Sequence, residues 1–250
     1  MTTEPHPAVS EDVAFLREMW ARVPDDARLA PLARTAADQE SAGDHPYWEI
    51  LRWMPAEDYL GRPGAKPAFL VGPSELLQET VLRGLEMGTL RTRFAWGIPT
   101  PQDLTWMLRL LDGRGVVEVG AGTGYWAWQL RQAGAEVECF DLHAPGEDNV
   151  YCTGGPYTVV DPGGPEVAGL FPRRALLLVW PPRGVDVAAR SLHAYQGDLL
   201  FLCAPADQDL SGDEDFYRAL SARWELLEEA PSHLAWWGLP CRLRAFRRRA

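Results

Sequence analysis

The run Val116-Val117-Glu118-Val119-Gly120-Ala121-Gly122-Thr123-Gly124-Tyr125 constrains the fold of this 250-residue chain more than any other stretch. Its valines suit the pleated, half-buried surface of a strand. Glycines then recur at every second position, and a helix-like segment follows. The order is strand, tight turn, helix start. Glycine is required in such a turn because a Cβ obstructs both the sharp reversal and the close approach of a ligand. The helix start offers unpaired backbone N–H groups and a positive dipole end, which favour an anionic or electron-rich ligand.

The spacing separates two classes of nucleotide ligand. A dinucleotide fingerprint has glycines at its first, third and sixth positions. Here Tyr125 occupies the sixth, the third glycine falls one residue early at Gly124, and Glu118 precedes the first glycine by two residues. The order acid-x-Gly-x-Gly-x-Gly resembles motif I of the class I S-adenosylmethionine-dependent methyltransferases. Asp141 fits the same resemblance: it ends a second strand-like run, Val137 to Phe140, 21 residues after Gly120. An acid there accepts hydrogen bonds from both ribose hydroxyls. The resemblance implies S-adenosyl-L-methionine as cofactor, with Glu118, Gly120, Ala121, Gly122, Thr123, Gly124, Tyr125, Asp141, Leu142 and Trp96 around it. A lone glycine loop is explained by many plain strand-to-helix turns; the loop, Glu118 and Asp141 together are the signal.

Composition narrows the function classes. The chain is 46% apolar, enough for a real core, and no run reaches the roughly 18 apolar residues of a membrane helix. Met1 to Pro7 lacks the basic and apolar regions of a signal peptide, so a cytoplasmic protein is expected. A net charge of −11 argues against a nucleic-acid partner, because phosphate binding needs a basic surface. The basic tail from Arg242 to Arg249 reads as an edge strand with a solvated end. Cys139, Cys152, Cys203 and Cys241 are far apart, no pair has metal-ligand spacing, and no metal is expected.

Taken in order, residues 1–112 read as a mainly helical lid that binds substrate, and 113–250 as the nucleotide domain. Ser10 begins a helix with Val13, Leu16, Met19, Trp20 and Val23 on one face; Tyr47 to Met54 is an aromatic cluster; Ser74 begins another helix. Thr100-Pro101-Gln102-Asp103 is a capped helix start with proline at the first position, and that helix stops near Gly113. Strands are expected at 116–120, 136–141, 157–160, 175–180, 199–203, 224–228 and 241–246. Helices are expected at 124–133 with Gly134 after its end, at 186–196 with Gly197 as its cap, and at 213–222. The fold class is α/β: a Rossmann-like, mostly parallel seven-stranded sheet sandwiched by helices. The first and fourth strands lie side by side and the ligand sits beyond their carboxyl ends. The family resemblance implies that the last strand is antiparallel.

Leu178-Val179-Trp180-Pro181-Pro182 ends the fourth strand at that crevice. Many amino-methylating enzymes have Asn or Asp before the two prolines; here Trp180 replaces the polar residue, which speaks against amine or nucleobase methylation. Residues 94–248 are similar to a bacterial and fungal methyltransferase-like family that shares the loop and this motif. Phe94, Trp96, Tyr125, Trp126 and Trp180 suit a sulfonium through cation–π contact. Trp180, His143 and His45 are the catalytic candidates, the histidines as bases; His193 and His233 read as structural or solvated. Asn149 and Tyr151 follow the second strand and suit the adenine or acceptor side. The expected function is methyl transfer to a small-molecule acceptor, such as a secondary metabolite or aromatic compound, with a homodimer as the assembly to look for. Two rivals stand beside it: a non-catalytic protein of the same fold acting through a partner, and a dinucleotide-dependent oxidoreductase.

Overall fold

The computed structural model describes residues 95–143, 149, 151–152, 154–205, 208–231, 233 and 241–249. The expected helical lid up to residue 94, with His45 and Phe94, lies outside the described residues. The first described element is helix α1 (Pro101–Leu111). Thr100 and Asp103 close its start reciprocally: Asp103 N–H donates to Thr100 Oγ1 at 3.0 Å, and Thr100 N–H donates to Asp103 Oδ2 at 2.9 Å. This is the capping box expected from the sequence, with Pro101 in the first turn.

Seven strands follow: β1 (Val116–Val119), β2 (Val137–Asp141), β3 (Asp161–Pro162), β4 (Ala175–Val179), β5 (Leu199–Pro205), β6 (Trp224–Glu229) and β7 (Cys241–Arg248). They form one sheet in the order β3-β2-β1-β4-β5-β7-β6. β1 runs parallel to both β2 and β4, and β7 is antiparallel to both β5 and β6. Helix α2 (Tyr125–Gln132) follows β1, α3 (Val187–Ala194) follows β4 and α4 (Glu214–Arg223) follows β5. The period-2 alternation of β4 divides the core. Ala175 and Leu177 face α1 and α2 together with Trp106, Met107, Trp126 and Leu130. Leu176 and Leu178 face α3 and α4 together with Leu192, Phe216 and Leu220. Strands buried on both faces read as continuous apolar runs, which is why β4 and β5 stand out in the sequence. The topology is the Rossmann-like, mostly parallel one.

Four local expectations are corrected. Residues 157–160 are not the third strand; the ladder is only Phe140↔Asp161 and Asp141↔Pro162. Tyr157 N–H is spent on Thr123 O at 2.9 Å, and Val159 O accepts from the Cys139 thiol of β2 at 3.2 Å, so this segment braces the glycine loop and meets β2 through a side chain rather than through a backbone ladder. The helix over 186–196 ends at Ala194, because Tyr195 turns extended. Gly197 is then needed for space rather than capping: a Cβ there would collide with the Tyr195 ring and hydroxyl. The basic tail is not an edge strand. β7 lies inside the sheet and β6 is the edge. Its arginines are engaged: Arg242 pairs with Glu229 at 2.6 Å, Arg248 donates to Gly197 O at 2.7 Å and stacks on Trp224, and Arg249 donates to Trp224 O at 3.1 Å.

Among the described residues no helix is long and apolar enough to cross a membrane.

Candidate cofactor and acceptor site

The site lies where β1 and β4 part, beyond the carboxyl ends of the strands. The chain leaves Val119 and turns through Gly120 (φ +76°), Gly122 (φ +54°) and Gly124 (φ +71°). The three glycines serve different ends. A Cβ on Gly120 would meet nothing within 4 Å, so its bareness leaves open room over the loop. On Gly124 it would lie 2.8 Å from Val160 Cγ2 and 2.9 Å from Thr158 Cγ2, so that glycine serves packing at the start of α2. Gly120 N–H and Ala121 N–H both donate to Phe140 O, at 2.9 and 3.0 Å, which ties the loop to β2.

Asp141, the last residue of β2, completes the turn. Its Oδ2 accepts from Gly122 N–H at 2.8 Å and its Oδ1 from His143 N–H at 3.0 Å. Each carboxylate oxygen has a second lone pair, so the group can order the loop and still accept from a diol. Glu118 is buried beside it, 1% exposed. Burial pushes its carboxyl up to about 8; a hydrogen bond from the Ala127 backbone and the Arg131 charge pull the other way, and the Asp141 charge adds to the rise. Glu118 Oε2 is a buried oxygen with no hydrogen-bond partner among the described residues. A buried acceptor left bare is costly unless a donor arrives.

These groups line a cavity of about 450 Å³, within the ordinary range for small-ligand pockets. Glu118, Gly120, Ala121, Gly122, Thr123, Asp141, Leu142 and His143 line it. Trp96, Trp126, Tyr151 and Trp180 supply its aromatic lining, and Asn149 and Cys152, the latter beside Gly122, line it as well. Trp96 donates its indole N–H to Tyr151 O at 2.8 Å, and its ring centre is 5.7 Å from that of Trp180. Trp180 sits in the left-handed region (φ +45°), unusual for a bulky residue. Its backbone N–H is fixed on Cys203 O at 2.8 Å, and its indole N–H reaches Cys241 Sγ at 3.1 Å. The turn at the end of β4 therefore aims the indole along the cavity wall. Pro181 O accepts from Gly212 N–H at 2.9 Å, stiffening the rim.

The fold thus gathers most of the residues singled out in the sequence around one cavity, including Trp96, which lies 45 residues from Asp141. Tyr125 is placed elsewhere. It is 1% exposed, its hydroxyl accepts from Gln129 Nε2 at 2.9 Å, and its ring meets Tyr157 edge-on at 5.0 Å. Trp126 takes the cavity position instead. Gly124 belongs to packing, as described above. His143 is exposed on the cavity rim, and His193 is exposed on α3, away from it.

Two features escaped the sequence. Cys152 lines the cavity, its thiol pushed up to about 11 by burial and by the Asp141 charge. Behind Trp180, Cys203, His233 and Cys241 meet, with Asp103 on His233 Nδ1 at 2.8 Å. Burial opposes charge on His233, but the hydrogen bond and charge of Asp103 raise it to about 10. Burial also opposes a Cys241 thiolate, yet hydrogen bonds from Cys203 and His233 and the His233 charge draw that thiol down to about 6. The spacing of these residues along the chain carries no signal; only the β5–β7 register brings them together.

No protein-family model matches the chain, and a search of curated proteins returned no match. Among solved structures, the chain is similar to magnesium protoporphyrin IX methyltransferase from Synechocystis with bound S-adenosylmethionine: 14% identity, 76% of this chain and 100% of that one, TM-score 0.40. It is also similar to 1,6-didemethyltoxoflavin-N1-methyltransferase from Burkholderia thailandensis with bound 1,6-didemethyltoxoflavin and S-adenosylhomocysteine: 17% identity, 77% of this chain and 94% of that one, TM-score 0.40.

Proposed function

We propose that this protein binds S-adenosyl-L-methionine in the cavity between the glycine loop and Trp180 and transfers its methyl group to a small-molecule acceptor. The observation that carries this reading is the Asp141 carboxylate. It stands at the end of β2, pinned to Gly122 N–H at 2.8 Å, with capacity left for the two hydroxyls of a ribose. Bare Glu118 Oε2 fits the cofactor's ammonium group, directly or through a water. The open space over Gly120 admits the methionine part. The donors and acceptors present fit the group.

S-adenosylmethionine supplies an electrophilic methyl on a sulfonium, displaced in line. The chain's own work is alignment and exclusion of water. Trp96 and Trp180 offer ring faces to a cation and a flat wall to an apolar or aromatic acceptor. His143, on the rim, is the base for an acceptor that must lose a proton. The apolar Trp180-Pro181-Pro182 rim favours an acceptor held by shape rather than by a polar clamp.

The same rim supports a second reading, a cofactor-binding protein that performs no transfer, because no side chain of Trp180, Pro181 or Pro182 can hold a nucleophile by hydrogen bonds. Incubation with methyl-labelled S-adenosylmethionine and a fractionated small-molecule extract separates the two. Label in a small product is expected. Tight cofactor binding with no label transferred in any fraction would favour the second reading.

A further inference from the structure

On the sheet face that carries α1 and α2, four buried ionisable groups meet behind Trp180. Cys203 pairs in register with Leu243, so Cys241, two residues before Leu243, lies diagonally opposite on the same face. The two Sγ atoms are 3.2 Å apart, and Cys203 Sγ is 3.6 Å from His233 Nε2. All three atoms lie within 4.8 Å of one another and all three residues are buried. His233 Nδ1 is held by Asp103 Oδ2 at 2.8 Å.

We propose that Cys203 Sγ, Cys241 Sγ and His233 Nε2 bind one zinc ion, with Asp103 as the positioning residue behind the histidine. The spacing is suitable. Tetrahedral zinc with its usual bond lengths separates a sulfur and a nitrogen by about 3.6 Å and two sulfurs by about 3.8 Å. The Cys203 sulfur–nitrogen distance already matches, and the sulfurs need to part by about 0.6 Å. The donor set also selects the ion: two thiolates and an imidazole suit zinc and disfavour magnesium or calcium. A carboxylate on the far ring nitrogen fixes the tautomer that presents Nε2, as in metal sites generally. Four ionisable side chains packed together in a core are costly without a compensating charge, and a dication bound by two thiolates supplies one. Residues 234–240, Leu-Ala-Trp-Trp-Gly-Leu-Pro, contain no Cys, His, Asp or Glu, so the stretch that follows His233 in the sequence brings no fourth ligand of that kind.

Such an ion ties β5, β7, the connection between β6 and β7, and α1 through Asp103. It also fixes the sulfur on which Trp180 rests its indole N–H. Coordination takes the proton from each thiol that still carries one and leaves Nε2 bare. Zinc uptake therefore releases protons and weakens as pH falls. This site stands independently of the cofactor reading.

The test is zinc titration of the full chain, stripped with a chelator, against a competing chromophoric chelator. One equivalent per chain is expected. Cys139→Ala, a cysteine outside the cluster, leaves that stoichiometry intact, whereas Cys203→Ser and Cys241→Ser abolish tight binding. Asp103→Asn weakens it roughly 10- to 100-fold, the usual effect of losing such a support. Should the serine variants fail to fold, cobalt added to the unaltered chain gives the answer: thiolate-to-cobalt charge-transfer absorption is expected, and its absence overturns the site. No zinc uptake, uptake that survives both serine variants, or a chain isolated with a Cys203–Cys241 disulfide and no metal overturns it equally.

Discussion

Glycine positions that look alike in the sequence do different physical work, and substitution separates them. Gly120→Ala places a methyl group in open space at a left-handed φ, a strain of about 1–2 kcal/mol. It is expected to leave the chain folded and to block the cavity. Gly124→Ala adds collisions with Thr158 and Val160 to the same strain and is expected to lower the melting temperature further. Thermal unfolding of both variants checks the order; equal losses would mean that Gly124 has room to give. Glu118 makes a pH prediction. Its native pKa, near 8, lies above the ordinary carboxyl value, so between about pH 5 and 8 the native state holds a proton that the unfolded chain has lost. Stability of the ligand-free protein therefore falls as pH rises through that window, by at most about 1.4 kcal/mol per unit. Glu118→Gln removes this dependence. Its advantage over the parent in urea unfolding is expected to widen with pH; parallel slopes would show that Glu118 ionises normally in the fold. At this scale the positions of Glu118, Gly120 and Asp141 around one cavity were legible in the sequence, because the loop's geometry is local. It misplaced Tyr125, since which of two adjacent helix-start aromatics faces the cavity depends on Tyr157, 32 residues away.

Elements whose signals are local are those the sequence locates well. α1 carries its own cap, and Thr100→Ala is expected to cost about 1 kcal/mol of stability in urea or heat unfolding. A loss well above that would show that Thr100 also steadies Asp103 in its hold on His233; no loss would mean the capping bonds are not made in solution. β1, β4 and β5 are apolar runs whose type follows from burial on both faces. β3 is legible only through its neighbours: two residues have no periodicity, and the pairing begins after Tyr157 has braced the glycine loop and Val159 O has taken the Cys139 thiol of β2. The basic composition of β7 suggested an edge, but strand order is set by chain return. The connection after β6 carries β7 back between β5 and β6, where Arg242, Arg248 and Arg249 find partners.

At the scale of the described fold, the parallel sheet with one antiparallel insertion places a cavity at the point where β1 and β4 diverge. That placement was legible in the order of strands and helices, because right-handed crossovers leave few topologies open. The cysteine–histidine cluster was not, because residues 103, 203, 233 and 241 converge only through β-sheet register and a long connection. Under the proposed function, the net charge of −11 and the aromatic cavity wall suit a small, weakly polar acceptor better than a polyanion. The proposed function stands or falls on whether the cavity at Asp141 takes an adenosyl ligand. Titration calorimetry with S-adenosylmethionine, S-adenosylhomocysteine and NADH, on the parent chain and on Asp141→Ala, tests it most directly. Micromolar binding of both adenosyl ligands, none of NADH, and a loss of roughly 1.5–3 kcal/mol, about 10- to 150-fold, in the variant are expected. Silence from both adenosyl ligands, or equal affinity in the parent and in Asp141→Ala, would contradict it.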